Sequence, residues 1–396
     1  MNLLCFIDNL GSGGAQRQLC RLAILLRNRG WTVEMLTYHA GGFFRADLER
    51  AGIPYHIIDA RPGLSRILAL RYILRQRRPD VVLAFLPMPC LYAELVGLLN
   101  RRWGLVVGER SATHGAVRRR DRLQRMFHRF ADAIVTNSHA NRLILERSVP
   151  ALRGRVSTIY NALDFDEFHP APWPDRTDRS LEIVVAASYR PLKNLTGWIE
   201  AARIARDRRP ELLIRTNWFG AGGSPTDPNE YAAEARRRIV SYNLEDRVVL
   251  NGPVQGIAER YGAAHAVALP SLIEGLPNTI CEAMACARPV AAGAISDAGA
   301  LVSEGVNGYL FDPEVPEEMA TAMTDLASID SGALEAMGRE GYRRARELLE
   351  PDTIADRYAD TLARAAARER SLPVHWPPDV PDTAVRTADA AFGIRR

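Results

Sequence analysis

A chain of 396 residues is too long for one ordinary hydrophobic core and suits two domains. Its 47% hydrophobic and 25% charged residues fit a globular protein in water, and a formal charge of +4, from 51 basic and 47 acidic residues, is too small to make nucleic acid the partner of the whole chain. The five cysteines, Cys5, Cys20, Cys90, Cys281 and Cys286, are odd in number, lie mostly in apolar runs and form no Cys-x-x-Cys pair, which points to buried thiols in a reducing compartment and away from zinc.

The chain begins "MNLLCFIDNLGSGG", a short apolar run that reaches glycine with no basic stretch before it, so it reads as a strand and turn rather than a signal peptide. Gly11, Gly13 and Gly14 then let backbone or a phosphate come close, although a glycine-rich turn is a weak signal and the spacing is not that of a dinucleotide fingerprint. A helix "GAQRQLCRLAILLRNRG" and a strand "TVEMLTY" follow, and later comes an arginine-rich helix, "RILALRYILRQRRP", with no acid. The most apolar window, "VVLAFLPMPCLYAELVGLL", approaches the length of a membrane span, but Pro87 and Pro89 divide it into a strand and a helix that carries Glu94.

After the strand "LVV" comes "GERSATHGAVRRRDRLQRMFHRF", in which Glu109, Arg110 and His114 stand at a strand end and are candidates to line a cleft. Leu123, Met126, Phe127 and Phe130 recur at helical spacing, which predicts a core-facing stripe with a basic outer face of Arg118, Arg119, Arg122, Arg125 and Arg129. Two arginine-rich helices in one half also suit an anionic membrane surface, while no aromatic-interleaved basic motif of a nucleic-acid reader is present. "AIVTNS" and "VSTIYNA" complete a first series of strands alternating with helices.

Residues 163–180 are rich in proline and polar groups and form the linker. A second alternating series follows: "LEIVVAAS", "LLIRTNWFG", "RVVLNGPV", "HAVALPS", "RPVAAG" and "GYLF". The pattern predicts two doubly wound α/β domains in tandem, each with a parallel sheet and right-handed crossovers. The expected bounds are 1–165 and 166–349, with a helix over 350–370 packing back on the first domain and a flexible tail over 371–396.

Two cationic side chains, Arg190 and Lys193, follow the first strand of the second series. Further on, Pro277 suits a helix start, and the N–H groups of Asn278, Thr279 and Ile280 are expected to face the preceding loop and hold phosphate. That loop follows a strand, where ligands bind in open α/β sheets. Glu282 lies one turn into the helix and Glu274 in the loop, so a diphosphate flanked by a ribose and a sugar fits between them. Taken alone, the two glutamates could equally be solvated, one of them favouring the helix dipole.

The surrounding phrase removes that ambiguity. "LPSLIEGLPNTICEAMACARPV" resembles the E-x7-E signature of retaining glycosyltransferases of family 4, whose GT-B fold has two facing Rossmann-like domains. "VTNSHA", "IYNALD" with Phe168 and Pro170, "NGYLFDP" and the opening glycine turn also resemble family phrases, so the likeness runs over residues 1–365. The resemblance implies that Glu282 binds the nucleotide ribose, Gly275 and the helix start at Leu276, Pro277, Asn278 and Thr279 hold the β-phosphate, and Glu274 contacts the donor sugar. Gly13 and Gly14 would approach the donor phosphates, Lys193 and Arg190 would stabilise the leaving diphosphate, and His114 resembles an acceptor-side residue beside Glu109 and Arg110. It also implies transfer with retention, no cofactor and no metal, domain closure around the donor, and a cytoplasmic protein peripheral on the inner membrane.

The sequence departs from the pattern at several places. Ser188 occupies the usual arginine position five residues before Lys193, making Arg190 a shifted candidate, and Gln16, Ala287 and Ala300 replace the usual glutamate, glycine and glutamate. The implied donor is a UDP-sugar, with GDP-mannose as the alternative, and the implied acceptor is a glycan or polyprenyl-diphosphate-linked sugar of bacterial surface polysaccharide or lipid-linked oligosaccharide synthesis. A sugar-nucleotide epimerase of the same fold and a non-catalytic sugar-nucleotide-binding partner are the rival readings.

Overall fold

The computed structural model describes residues 1–98, 100–110, 119–176, 180–222, 229–369 and 373–392. The chain divides into two compact units: Met1–Ala162 with Leu349–Asp379 and Ala388–Arg396, and Leu163–Leu348 with Val380–Thr387.

The first unit runs β1 (Asn2–Phe6), α1 (Gly14–Asn28), β2 (Thr32–Thr37), α2 (Arg45–Arg50), β3 (Tyr55–Ile57), α3 (Leu64–Arg77), β4 (Val81–Phe85) and α4 (Pro87–Gly97). It continues with β5 (Gly104–Glu109), α5 (Arg119–Arg125) and a 3₁₀ turn (Met126–Phe130), β6 (Ala133–Thr136), α6 (His139–Ser148) and β7 (Val156–Ile159). The second unit runs β8 (Ser180–Ala186), α7 (Leu195–Arg208), β9 (Leu213–Phe219), α8 (Glu230–Ser241), β10 (Val248–Asn251), α9 (Ile257–Gly262), β11 (Ala266–Leu269) and α10 (Asn278–Ala285). β12 (Val290–Gly293), α11 (Ala298–Leu301), β13 (Gly308–Phe311), α12 (Pro316–Ser328) and α13 (Ser331–Leu349) follow. The chain closes with α14 (Pro351–Ala367), β14 (His375–Trp376) and α15 (Asp382–Ala390).

Both sheets are parallel. The first has the order β14-β7-β6-β5-β4-β1-β2-β3 and the second β10-β9-β8-β11-β12-β13. Central strands such as Val81–Phe85 are buried at every position, which is why they read as unbroken apolar runs rather than alternating ones. In each sheet the chain builds outward, then returns across its first strand. The reversals fall between β1 and β4, where Leu3 pairs with Val81, and between β8 and β11, where Val184 pairs with Val267. The divergence of loops at such a point leaves room for a ligand at the strands' C-terminal ends.

Two expectations are corrected. The stripe Leu123, Met126 and Phe130 does not face the core: Leu123 is 61% exposed, whereas Arg125 is only 6% exposed and His128 is buried. Helix α5 is short and passes into a 3₁₀ turn, so the 3.6-residue period fails there. The buried carboxylates of Glu94 and Glu109 then draw the two cationic side chains inward. The tail is also ordered over its described part. Strand β14 extends the first sheet beside β7, Thr158 N–H donates to the Val374 carbonyl at 2.8 Å, and Val374 N–H donates to Ser157 Oγ at 3.1 Å. The edge of β7 and the buried His139, whose Nε2 lies 2.8 Å from the Pro377 carbonyl oxygen, supply partners that low periodicity concealed.

A chain ending at residue 369 loses these three hydrogen bonds. At ~0.5–1.5 kcal/mol each, the first unit should lose about 2–4 kcal/mol and melt roughly 5–15 °C lower. Scanning calorimetry of the two lengths checks this, and equal Tm values would return the tail to a solvated appendage.

Candidate functional site

In the second unit the reversal between β8 and β11 brings two loops together. The loop after β8 contains Arg190 and a 3₁₀ turn, Pro191–Lys193, closed by Lys193 N–H donating to the Arg190 carbonyl at 2.9 Å. Asn194 ends the turn in the left-handed conformation, φ +59°, and its side-chain amide donates to the Pro313 carbonyl at 2.6 Å. The loop after β11 leads through Ser271 to Pro277. The two loops are stitched by Leu272 N–H donating to the Leu192 carbonyl at 2.9 Å.

At their crossing Lys193 Nζ donates to Glu274 Oε1 at 2.5 Å, each side chain being about one-sixth exposed. A half-desolvated pair of this kind is held in one geometry rather than sampling many, because breaking it would leave two unpaired charges in a partly dry loop. Arg190 is exposed, and its Nε donates to Ser188 Oγ at 3.1 Å, so the arginine reaches back to the serine that stands five residues before Lys193.

Helix α10 begins at Asn278, with Pro277 at its N-cap. Thr279 Oγ1 donates to the Ala186 carbonyl at 3.2 Å, tying the helix start to the last residue of β8. The expected row of free N–H groups is shorter than the sequence suggested. Asn278 N–H donates to the Leu276 carbonyl at 2.9 Å and Ile280 N–H to the Pro277 carbonyl at 3.0 Å. A tight turn at proline satisfies them locally. Glu282, one turn on, is buried and accepts from the Tyr261 hydroxyl at 3.3 Å. Burial, reinforced by the Glu282 charge, pushes the Tyr261 phenol well up. The solvated-glutamate alternative therefore does not describe Glu282. Gly275 is held through its carbonyl oxygen by the Ser296 hydroxyl.

In the first unit Gly13 caps α1 with φ −71°, so its backbone is one any residue could adopt. A Cβ there would lie 2.3 Å from Gln16 Oε1, and Gln16 Nε2 donates to Asp8 Oδ1 at 3.1 Å, so the glutamine folds across the glycine turn. Gly14 is the first helical residue.

Glu109, expected to line a cleft, is instead turned inward. It is 7% exposed, accepts from Arg125 Nη2 at 3.2 Å, and its second oxygen lies 3.5 Å from His128 Nε2. His128 Nδ1 lies 2.6 Å from Glu94 Oε1. Burial alone would raise the Glu109 carboxyl, but the Arg125 and His128 charges hold it down at about 2. Burial would lower His128, but hydrogen bonds to Glu109 and Glu94 raise it to about 9. Arg110 lies 3.9 Å over the Phe85 ring, donates to Asn161 Oδ1 at 2.9 Å and also to the Tyr358 hydroxyl, with no carboxylate partner among the described residues. Burial pushes its pKa down. His114 lies outside the described residues.

Sequence reasoning did not find Asn194, Tyr261 or Ser296. Asn194 could have been found, since asparagine tolerates the left-handed conformation at a turn end. Tyr261 and Ser296 reach the site from distant segments and leave no local pattern. Among the described residues there is no group of three or more His, Cys, Asp or Glu side chains placed to hold a metal. Likewise no helix among them is long and apolar enough to cross a membrane.

Two family models match the chain: Glycosyltransferase Family 4 over residues 12–167 and Glycosyl transferases group 1 over residues 181–328. The D-inositol 3-phosphate glycosyltransferase of Streptomyces avermitilis is 29% identical over 255 residues, 61% of this chain and 54% of that protein. The chain thus spans little more than half the length of such curated relatives. Among solved structures, Anabaena Alr3699/HepE in complex with UDP is 21% identical with a TM-score of 0.77, covering 92% of this chain and all of that one. Sucrose-phosphate synthase from Thermosynechococcus elongatus is 20% identical with a TM-score of 0.74, covering 93% of this chain and 100% of that one.

The buried network of the first unit has a definite pH signature. His128 is raised in the folded state, so its contribution is complete below the unfolded value of ~6.5 and is lost as pH rises through about 9. Glu109 is depressed, so its contribution is present above the unfolded value of ~4.3 and is lost as pH falls through about 2. Melting curves from neutral to alkaline pH should show wild type losing stability between these His128 limits and His128→Gln, already weakened by ~3–5 kcal/mol, losing less. Parallel curves for the two proteins would show the network contributes nothing.

Two domain models covering the halves in order, two parallel α/β sheets and solved neighbours of the GT-B fold agree, and the chain belongs to glycosyltransferase family 4.

Proposed function

We propose that this chain is a retaining, metal-independent glycosyltransferase that moves a hexosyl or N-acetylhexosaminyl group from a nucleotide sugar to a glycan or polyprenyl-diphosphate-linked acceptor. The observation that carries the reading is the Lys193–Glu274 pair at the β8/β11 reversal, with buried Glu282 one turn into the adjoining helix. A leaving diphosphate takes Glu274's place beside Lys193, and the released carboxylate accepts from the donor sugar's hydroxyls. Charge building on the leaving group is then met by a fixed cation where it develops, which favours the transition state over the ground state. Arg190 adds a second cation from the same loop. Glu282 accepts from the ribose and the segment from Gly275 to Thr279 holds the β-phosphate, and Gly13 and Gly14 belong to the proposed donor-binding set.

UDP-sugar is the favoured donor. Support comes from the Anabaena relative in fold, solved with UDP and with UDP-glucose. GDP-mannose is the alternative. The curated relatives are named for an inositol phosphate acceptor, which makes a phosphorylated or otherwise anionic acceptor chemically reasonable. Arg110, a cation with no carboxylate partner among the described residues, suits it, with Glu109 acting through its network, and His114 is the further acceptor-side candidate.

The acceptor is met, on this reading, at the cytoplasmic face of an anionic inner membrane. Right-handed crossovers put α3, α4 and α5 on one face of the first sheet, and α4 packs against both α3 and the 3₁₀ turn. Outward on α3 stand Leu64, Leu68 and Tyr72, and on α5 and the turn Leu123, Met126 and Phe130, all exposed. The same helices carry Arg71, Arg75, Arg119, Arg120, Arg122 and Arg129, and their described residues include one carboxylate that is not buried, Asp121. Apolar insertion framed by arginine is the chemistry of an interfacial surface.

Two measurements test these readings. Calorimetry and nucleoside diphosphate release across a panel of UDP-sugars and GDP-mannose, with and without EDTA, should select one donor and show turnover in both conditions. Lys193→Ala and Glu274→Ala should each lower kcat by about 10²–10³ or more while circular dichroism shows the fold retained. Full activity in both would sink the assignment, formation of a new nucleotide sugar without acceptor would indicate an epimerase, and binding without turnover a non-catalytic partner. In co-sedimentation, Leu123→Asp/Phe130→Asp should bind phosphatidylglycerol-containing vesicles at least tenfold more weakly, because each buried apolar side chain is worth ~1.5–3 kcal/mol. Equal binding to neutral vesicles by both proteins would remove the membrane from the reading.

A further inference from the structure

The donor loop is gripped on two sides. On one side Leu272 and Glu274 bond to the loop that carries Lys193. On the other, the Ser296 hydroxyl donates to the carbonyl oxygen of Gly275, the residue next to Glu274. Ser296 lies between β12 and α11, is fully buried, and has φ +47°. Glycine is the default for that backbone conformation, so a serine there needs compensation from its own bonds. It has two. Besides the bond to Gly275, its N–H donates to Thr387 Oγ1 at 2.6 Å.

Thr387 lies on α15, in the part of the chain that belongs to the second unit. One turn earlier on the same helix face, buried Thr383 accepts from Gly299 N–H at 3.1 Å. A Cβ at Gly299 would lie 3.0 Å from Thr383 Oγ1, so the two elements approach closely here. Two threonine oxygens thus take up the N–H groups at both ends of the 296–299 segment, from a helix some ninety residues away in sequence.

We propose that Thr387 is a positioning residue for the donor loop: it fixes Ser296, Ser296 fixes Gly275, and the carboxylate of Glu274 is thereby aimed at the sugar-binding position. The inference rests on the reading of Glu274 given above. It makes helix α15 a determinant of donor binding although it carries none of the residues assigned to the donor above.

Hydrogen–deuterium exchange of the full-length chain, followed over residues 271–280, tests it without any ligand. Thr387→Val keeps the side chain's shape and removes the acceptor. Ser296→Gly keeps the positive φ and removes the hydroxyl. Both should raise exchange of this segment on the order of fivefold or more, and Thr387→Ser should restore the wild-type rate. Unchanged exchange in both variants overturns the proposal, even if Tm falls, because a merely structural threonine would weaken the unit without loosening this loop selectively. UDP-glucose titrations separate the two readings. A wild type that binds no nucleotide sugar counts against the proposed function and leaves the exchange result standing. A wild type that binds, with donor KM raised and kcat kept in Thr387→Val, supports the positioning role.

Discussion

The chain's chemistry is located by one topological constraint: β8 and β11 are hydrogen-bonded neighbours although three strands' worth of sequence separates their beginnings. Parallel strands side by side send their following loops off the same edge, and at a reversal those loops run to opposite faces. The loop after β8 supplies a lysine and the loop after β11 a glutamate, and the two meet at 2.5 Å. Everything else in the second unit's site serves that meeting. Asn194 turns the first loop into α7, Leu272 stitches the loops together, and Thr279 fastens the following helix to the end of β8. The charges are matched in number and partly screened from water, so each is held in position by the other.

The first unit handles charge in the opposite way. Glu94 and Glu109 are buried outright, and a buried carboxylate needs a partner of opposite charge within hydrogen-bond reach. His128 and Arg125 provide it, at the expense of the helical period of α5. Leucine, methionine and phenylalanine from the same segment are then left facing out. A local electrostatic demand therefore sets the surface character of the unit: the apolar stripe is exposed because the polar side chains on the other face are required inside. Arginines on the same helices, among them Arg119, Arg122 and Arg129, are exposed beside the stripe.

Much of this was legible from the residues. An unbroken apolar run such as Val81–Phe85, short and cut off by proline, fits a strand covered on both faces, so the parallel sheets and their alternation with helices were legible. The placement of Lys193 and Glu274 in loops after strands, and of Glu282 on the following helix, was readable because these residues sit in phrases tied to strand ends and a helix start. The failures share one cause: each depended on a partner far away in sequence. The burial of Arg125 and His128 depends on Glu94 and Glu109, the order of residues 375 and 376 depends on the free edge of β7, and the hold on Gly275 depends on Ser296 and Thr387. Periodicity reports how a segment would fold against an apolar neighbour, and it fails when the neighbour is a buried charge or an unpaired strand edge.

The departure at Ser188 shows how such distant or shifted partners can preserve an electrostatic arrangement. A cation five residues before the lysine would leave the loop directly at the end of β8, whereas Arg190 leaves it two residues later, in extended backbone before the 3₁₀ turn. Arginine is long enough to cover that difference, and its Nε reaches back to the Ser188 hydroxyl. The serine is therefore more than a filler for a missing arginine: its hydroxyl accepts from the guanidinium and limits the directions in which an otherwise exposed side chain can point. Because the guanidinium keeps its remaining donors for a bidentate partner, the pair Ser188–Arg190 can present a planar cation to an oxyanion from a displaced Cα. Lys193, partly buried and already matched to Glu274, is the fixed charge of the site. Arg190, exposed and held by its hydrogen bond to Ser188, is the adjustable one.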